Sequence, residues 1–206
     1  MQWVTGLPYS KKHWGPRVDA MVTAGGRLFT VEDETPSVLI NMADKWVLIA
    51  RDAFNGAVLW RRELPRWARG MWTPAVRREI ALPAPEGLLL GAYGEMSGAA
   101  GGRNGMRVLV AAADRLFVSL ERAAPPTMLD AATGEVLLTS AEPASPTEMI
   151  LAGECLLAGG GGQVVALEPE TGAMRWRSPG SNVAAQGDLA FFLRAKGQTV
   201  VCASLA

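Results

Sequence analysis

Few residues in this chain of 206 could carry catalytic or metal chemistry. It has one histidine, His13, and two cysteines, Cys155 and Cys202. No serine or cysteine stands in a recognisable motif with His13, so nothing indicates a nucleophile activated by a histidine base. A single histidine also disfavours a zinc site of the usual Cys/His kind. We expect both cysteines to be buried thiols in alternating apolar runs, and their spacing does not decide whether they form a disulfide.

Two further motifs look like ligand sites but have simpler explanations. Gly159–Gly162 could cradle a phosphate, but such a loop needs a following helix, and residues 163–167 predict a strand. We therefore expect a hairpin turn there. Three consecutive acids, Glu32-Asp33-Glu34, could hold a cation. Adjacent residues of an extended chain point to opposite sides, so we expect instead a solvated loop that follows a strand.

Two stretches combine basic and aromatic residues and are the candidate binding surfaces. Residues 61–78 contain six arginines and two tryptophans, and Glu63 is their only acid. Arginine beside exposed aromatic rings suits anionic polymers, nucleic-acid bases or a protein partner, although arginine stems also cover apolar surface at sheet edges. The first-ranked candidates are Arg66, Trp67, Arg69 and Trp72, and the second-ranked loop contains Tyr9, Lys11, His13 and Trp14.

The composition limits the class of partner. Lysine plus arginine and aspartate plus glutamate balance at 20 each, so no global charge attracts nucleic acid or an acidic membrane. This balance disfavours nucleic acid as the partner. No apolar stretch reaches the length of a membrane span, and the N-terminus does not resemble a signal peptide. If Met1 is the natural start, the sequence predicts a cytoplasmic protein.

One sequence motif occurs three times, at residues 50–60, 128–138 and 166–176. Its frame is an acid, three residues, a glycine, three residues and a large apolar residue. The framed positions are Asp52, Gly56 and Trp60; Asp130, Gly134 and Leu138; and Glu168, Gly172 and Trp176. The acid can accept hydrogen bonds from N–H groups of a turn, the glycine supplies a positive φ, and the apolar residue can pack on a neighbouring sheet. The frame therefore predicts a β-hairpin.

Two predicted strands precede each framed hairpin, which gives four strands in each unit. The second and third acids are 38 residues apart, close to the length of one four-stranded blade. The first and second are 78 residues apart, which we attribute to an insertion at about residues 79–105. A fourth unit starts near Val183 and has three predicted strands. Gln2-Trp3-Val4 looks like an outer strand that could complete this unit, so that the two ends of the chain share one blade.

The frame resembles the PQQ-like repeat of quinoprotein dehydrogenases and of the BamB family of outer-membrane assembly lipoproteins. Residues 1–78 also resemble long PQQ-like repeat proteins of planctomycete-type bacteria. The resemblance implies an all-β propeller of about four four-stranded blades in a single domain, 1–206. The predicted blades are about 17–64, 76–140, 145–178, and 181–206 plus 1–6. Family members usually have seven or eight blades, so the chain could be half of a ring that a homodimer completes.

The resemblance does not extend to a quinone site. Quinoprotein sites use adjacent cysteines, a calcium ion held by carboxylates and amides, and a tryptophan platform. Here no two cysteines are adjacent, and no acidic cluster has a spacing that suits calcium. We therefore expect no cofactor, no metal and no catalytic residue. The sequence favours a scaffold or binding module that presents loops of one face to a protein partner or an unknown ligand.

Two alternatives stay open at this point. The chain could be a quinoprotein-like oxidoreductase or a fragment of one, or it could be a sensor or regulatory segment of a larger protein. The compartment also stays open, because the resemblance implies the periplasm or cell envelope whereas the N-terminus shows no export signal.

Overall fold

The computed structural model describes residues 9–10, 15–16, 18–34, 45–65, 109–121, 124–194 and 199–205. Within these ranges every regular element is a β-strand, and there is no helix that could cross a membrane. The strands are β1 (Tyr9–Ser10), β2 (Gly15–Pro16), β3 (Val18–Ala24), β4 (Arg27–Asp33), β5 (Trp46–Asp52), β6 (Val58–Glu63), β7 (Leu109–Ala111), β8 (Arg115–Val118), β9 (Thr127–Asp130), β10 (Val136–Thr139), β11 (Glu148–Ala152), β12 (Cys155–Gly160), β13 (Gln163–Leu167), β14 (Met174–Pro179), β15 (Ser181–Gln186), β16 (Leu189–Arg194) and β17 (Thr199–Ser204).

The strands form four antiparallel sheets in which each strand pairs with the next one along the chain. We call β3–β6 blade 1, β7–β10 blade 2, β11–β14 blade 3 and β15–β17 blade 4. Blades 1 to 3 have four strands each, and blade 4 has three among the described residues. A separate short pair joins β1 to β2. This pattern follows from tight turns between neighbouring strands, because an antiparallel pair needs only a hairpin connection.

The blades lie side by side, and the first strands of neighbouring blades are adjacent. The first strand of each blade contacts the first strand of the next, so β3 lies beside β7, β7 beside β11, and β11 beside β15. This is the arrangement of a propeller, in which the innermost strands surround an axis. The all-β propeller fold with about four blades that the repeat predicts is confirmed.

Blades 2 and 3 each pack between two neighbouring sheets, so their middle strands are buried on both faces, whereas in blade 4 buried and partly exposed residues alternate along β16. Strand β5 is buried from Trp46 to Ala50, and β12 is buried from Cys155 to Gly159. One apolar core runs through blades 1, 2 and 3. A second core joins blade 3 to blade 4 and includes Leu157, Ala166 and Phe192. Blade 3 therefore contributes one face to each core.

The framed hairpins connect the blades. The framed glycines Gly56, Gly134 and Gly172 have φ of 76°, 74° and 69°. Trp60 of blade 1 packs over Gly134 of blade 2, and its Nε1 donates to the carbonyl of Ala131 at 3.0 Å. At the other two junctions, between blades 2 and 3 and between blades 3 and 4, the last residue of the frame also contacts the next blade. Leu138 packs over Gly172, and the indole N–H of Trp176 donates to the carbonyl of Ser204 at 3.1 Å.

The structure corrects two expectations from the sequence. Cys155 is buried as predicted, but Cys202 is exposed, and both are free thiols. The acids Glu32 and Asp33 belong to the end of β4 rather than to a solvated loop, and Asp33 is buried. Gly161 and Gly162 form the predicted hairpin turn between β12 and β13. The insertion at about 79–105 and the strand expected at Gln2-Trp3-Val4 lie outside the described residues, so the shared fourth blade stays a prediction.

Candidate functional site

One end of the propeller collects two hairpin turns from each of blades 1, 2 and 3 and one described turn from blade 4. In an antiparallel sheet of consecutive strands, the turn after the first strand and the turn after the third strand lie at the same end. Backbone hydrogen bonds of 2.9 Å join the two turns within a blade, from Ala53 N–H to Gly26 O and from Ala131 N–H to Asp114 O. We call this end the turn face. Its described turns are residues 25–26, 53–57, 112–114, 131–135, 153–154, 168–173 and 187–188.

A cleft of about 360 Å³ opens on the turn face between blades 2 and 3. We call it the interblade cleft. Phe117 of β8 and Leu151 of β11 form its apolar floor. Three turns form its walls, one from blade 2 and two from blade 3. The complete lining is Ala112, Asp114, Arg115, Phe117, Leu151, Gly153, Glu154, Glu168, Pro169 and Glu170.

Carboxylates dominate the rim of the interblade cleft. Arg115 lies 3.2 Å from Glu170 (Nη2 to Oε1) and 3.5 Å from Asp114 (Nε to Oδ2). Glu168 lies 3.2 Å from Arg175, which is outside the cleft. Glu154 forms no ion pair with any described residue. One arginine inside the cleft thus faces four carboxylates, and the exposed pairs with Asp114 and Glu170 are weak because water screens them.

Carboxylates occur on the turns of blades 2, 3 and 4, whereas the turns of blade 1 carry none and Arg27 donates to the carbonyls of Gly25 and Ala113. The described turns carry six carboxylates, and no lysine or arginine lies within these ranges. The acids are Asp114, Glu135, Glu154, Glu168, Glu170 and Asp188. The complete chain has equal numbers of acidic and basic residues, so the surplus of acids within these turns reflects an uneven distribution of charge.

Hydrogen bonds from turn N–H groups reach the carboxylates of the framed aspartates Asp52 and Asp130. The Oδ1 atom of Asp130 accepts from the backbone N–H of Thr133 at 2.7 Å and of Ala132 at 2.8 Å. The Thr133 N–H is the main reason that the pKa of Asp130 lies below its ordinary value of 3.8. Asp52 accepts from Phe54 N–H at 2.8 Å in the same way. The framed aspartates therefore stabilise their turns.

The ionisable groups that line the cleft are four carboxylates and one arginine. Among the described residues, no group of three or more His, Cys, Asp or Glu side chains is placed to hold a metal ion. The cleft lining contains no histidine, cysteine, serine or lysine. What the cleft offers is an apolar floor with an acidic rim, which is complementary to a side chain with an apolar stem and a positive end.

None of the binding residues predicted from the sequence has a described side chain. Arg66, Trp67, Arg69, Trp72, Lys11, His13 and Trp14 lie outside the described residues. Of Tyr9, the structure describes only the backbone, in strand β1. From the arginine-rich stretch, Arg61 and Arg62 lie in β6, and Arg61 forms an ion pair with Glu34. The predicted binding roles therefore stay predictions.

Sequence reasoning did not find Asp114, Glu154 and Glu170. Each is an ordinary turn acid when it is considered alone. The sequence could have indicated them in one way. Asp114 and Glu154 follow the first strand of a predicted unit and Glu170 follows the third strand, and turns after first and third strands lie at the same end of a blade. The contact between blades 2 and 3 then brings Asp114 and Glu154 to one cleft, although they are far apart in the sequence.

Comparison with known proteins identifies similar folds. A family model described as outer membrane protein assembly factor BamB matches residues 2–204. BamB from Moraxella catarrhalis has a TM-score of 0.55 and 16% identity, covering 91% of this chain and 47% of that chain. The computationally designed Ika8 protein has a TM-score of 0.55 and 10% identity, covering 93% of this chain and 46% of that chain. The chain thus spans about half the length of these two structures.

A quinohemoprotein alcohol dehydrogenase from Comamonas testosteroni has a TM-score of 0.44 and 16% identity, covering 79% of this chain and 21% of that chain. That score is too low to support a shared site or cofactor. No curated protein matches the chain in sequence. At these identities the solved structures show a common fold alone.

Proposed function

The chain belongs to the family of the outer membrane protein assembly factor BamB, and from this premise we propose that it is a non-catalytic binding module whose interblade cleft receives a basic segment of a protein partner. The observation that carries the proposal is the acidic rim over an apolar floor between blades 2 and 3. Loops held by a rigid propeller are a favourable binding surface, because the sheets fix their positions.

The size and chemistry of the cleft fit lysine or arginine side chains of a peptide. A volume of about 360 Å³ is at the small end of ligand pockets and admits a few side chains rather than a large cofactor. The methylene stem of a lysine or arginine would lie on Phe117 and Leu151, while its charged end reaches Glu154 or Glu168. Such pairs add specificity and association rate more than raw affinity.

The charge of the turn face favours a protein over nucleic acid as the partner. The charged side chains within the described turns are all acidic and repel a phosphate backbone. Within the part of the chain that the structure describes, no observation favours the oxidoreductase or the sensor segment that the sequence left open. Binding to a basic protein segment is therefore the function that these residues support best.

The direct test is the affinity for a model peptide. The probe is a fluorescein-labelled peptide of alternating lysine and leucine, and fluorescence anisotropy measures its binding to the chain at low and high salt. We expect binding that weakens as salt rises, because the contacts are partly exposed charges. We expect Glu154→Arg to weaken binding roughly tenfold or more, since it places a cation inside the cleft.

A matched control separates the cleft from the general charge of the face. Glu135→Arg makes the same change of charge on the turn face but lies outside the cleft lining. We expect this variant to lose at most about threefold, from the weaker long-range potential. Equal losses in the two variants, or no binding of the peptide by the unaltered chain, would contradict the proposal.

A further inference from the structure

The interblade cleft already contains one cation, which belongs to the chain itself. Arg115 and Phe117 are two residues apart on β8, so their side chains lie on the same face of the strand, and both line the cleft. Arg115 Nη2 lies 3.2 Å from Oε1 of Glu170, which is across the junction in blade 3. Arg115 thus combines an apolar neighbour with a carboxylate, as the cleft would do for a cationic side chain of a partner.

The repeat allows a comparison with blade 1, where Arg27 takes the position of Arg115. Each arginine begins the second strand of its blade and pairs with the framed aspartate of the third strand. Arg27 donates to the carbonyl of Ala113 in blade 2 at 3.2 Å. This carbonyl is neutral, whereas Arg115 binds the charged side chain of Glu170. A carboxylate forms the stronger hydrogen bond with a cation, so the second junction is the one that can attract another cation.

Among the described blades, only blade 3 offers a carboxylate to the arginine of the preceding blade. Two residues after the framed acid, blade 3 has Glu170, whereas blade 2 has Ala132. At the junction between blades 3 and 4, Cys155 takes the position of the arginine, so that position carries no cation. The Glu170 side chain is 71% exposed. A cation from a partner can therefore reach the carboxylate that Arg115 holds.

We propose that Arg115 determines the specificity of the interblade cleft, because it holds Glu170 and limits the partner to one cationic side chain beside Glu154. This inference rests on the function proposed above. Glu154 forms no ion pair with any described residue, so its carboxylate is open to the partner. A second cation would meet Arg115 at Glu170, where two like charges at short range repel each other. The partner segment should thus present a single lysine or arginine to the cleft.

Two fluorescein-labelled peptides of equal composition and charge test this limit. The close peptide has two lysines separated by one leucine, which lie on the same side of an extended chain, and the spaced peptide has them separated by seven residues. Fluorescence anisotropy compares the unaltered chain with Arg115→Met, which keeps an apolar stem but no charge. We expect the unaltered chain to bind both peptides within about twofold. Arg115→Met should bind the close peptide roughly fivefold more tightly than the spaced peptide.

Control variants separate the cleft from the general charge of the turn face. Arg27→Met removes the same charge at the equivalent position of blade 1 and should create no preference between the peptides. Arg115→Met combined with Glu170→Gln should lose the preference, because the second carboxylate is gone. Arg115→Lys keeps a cation in the cleft and should bind the close peptide more weakly than Arg115→Met does.

The fold should tolerate these changes, because the carboxylates that Arg115 pairs with are mostly exposed and such pairs are weak. Circular dichroism checks this point, and Arg115→Gln repeats the removal of charge with a polar side chain.

The outcomes distinguish this inference from the proposed function. If neither the unaltered chain nor Arg115→Met binds either peptide, the proposed function fails and the role of Arg115 fails with it. If the unaltered chain binds but Arg115→Met shows no preference, only the role of Arg115 is overturned. An equal preference in Arg27→Met, or a preference for the close peptide in the unaltered chain, would overturn it as well.

Discussion

At Gly134, the lack of a side chain decides how closely blades 1 and 2 approach. A Cβ atom at this position would lie 2.7 Å from Cδ2 of Trp60, and the residue has a φ of +74°. Gly161 has a similar φ of +60°, but nothing lies within 4 Å of its Cβ direction. Gly134 is therefore required both by its positive φ and by the nearby indole, whereas Gly161 is required by its positive φ alone.

We expect Gly134→Ala to lower the free energy of unfolding by about 3 kcal/mol, from overpacking against the indole together with the strain of a positive φ. Gly161→Ala should cost only about 1 kcal/mol, because it introduces the backbone strain alone. Urea denaturation of both variants measures the difference. Equal costs would mean that the junction can move apart to accommodate the methyl group.

The framed acids show how far residue-level prediction reaches. The sequence predicts that each carboxylate accepts hydrogen bonds from its turn, and Asp52 and Asp130 do so. Glu168 instead forms an ion pair with Arg175. The extra methylene of glutamate carries its carboxylate past the turn N–H groups, so the shared frame does not guarantee a shared contact.

At the scale of elements, β4 and β5 are joined by a buried ion pair as well as by backbone pairing. Arg51 Nη1 lies 2.8 Å from Glu32 Oε1, and only 10% and 18% of these two side chains are exposed. Thr30 Oγ1 donates to the same carboxylate oxygen at 2.6 Å and accepts from Arg51 at 3.2 Å. The outward face of blade 1 therefore contains a closed polar network among apolar residues.

We expect Arg51→Met to lower the free energy of unfolding by roughly 3 kcal/mol, because it leaves the Glu32 carboxylate buried without its partner. The double variant Arg51→Met with Glu32→Met should recover most of that loss, since no charge then remains buried. A thermodynamic cycle of urea denaturation curves measures both effects. As a control, Arg61→Met removes an exposed pair with Glu34 and should cost less than about 1 kcal/mol. A double variant as unstable as the single one would contradict this interpretation.

The same pair explains why the sequence placed the end of β4 too early. The sequence predicts a solvated loop at Glu32-Asp33-Glu34, because adjacent residues of an extended chain point to opposite sides and rarely share one cation. In the structure β4 continues to Asp33. Glu32 can stay in the strand because Arg51 neutralises it from the neighbouring strand, and that pairing depends on a register between β4 and β5 that no local pattern reveals.

At the scale of the whole molecule, we expect blade 4 to unfold before the other three blades, because it belongs to a separate and smaller core. Blade 4 contacts blade 3 alone among the described blades, and their shared core is smaller than the one through blades 1 to 3. In an array whose units contact only their neighbours, a terminal unit can open before the others. Cys155 reports this event because it is buried in the smaller core.

In a Cys202→Ser variant, we expect a maleimide to label Cys155 at a lower urea concentration than that at which circular dichroism is lost. Without urea the thiol should resist labelling, because burial raises its pKa above the ordinary value of 9.0. Pulsed labelling followed by mass spectrometry measures the transition. Coincident labelling and circular dichroism curves would show that the four blades unfold as one unit.

The fold could be predicted from the sequence, but the interblade cleft could not. Three copies of the frame define hairpins, four strands per unit and therefore blades, all from local spacing. The cleft depends on which turn of blade 2 faces which turn of blade 3. Asp114 and Glu154 share it because the second strands of the two blades start at equivalent places, next to one another across the junction.

The junction contact also has a consequence for how such chains can change length. Trp60 over Gly134 and Leu138 over Gly172 both join a fourth strand to the framed turn of the following blade. A genetic duplication of one blade would therefore copy both halves of the junction. These are the fourth-strand residue that packs on the next blade and the framed turn that receives the residue of the preceding blade. The new unit would fit between its neighbours without any new interface, so this architecture can lengthen one blade at a time while it stays folded at each step.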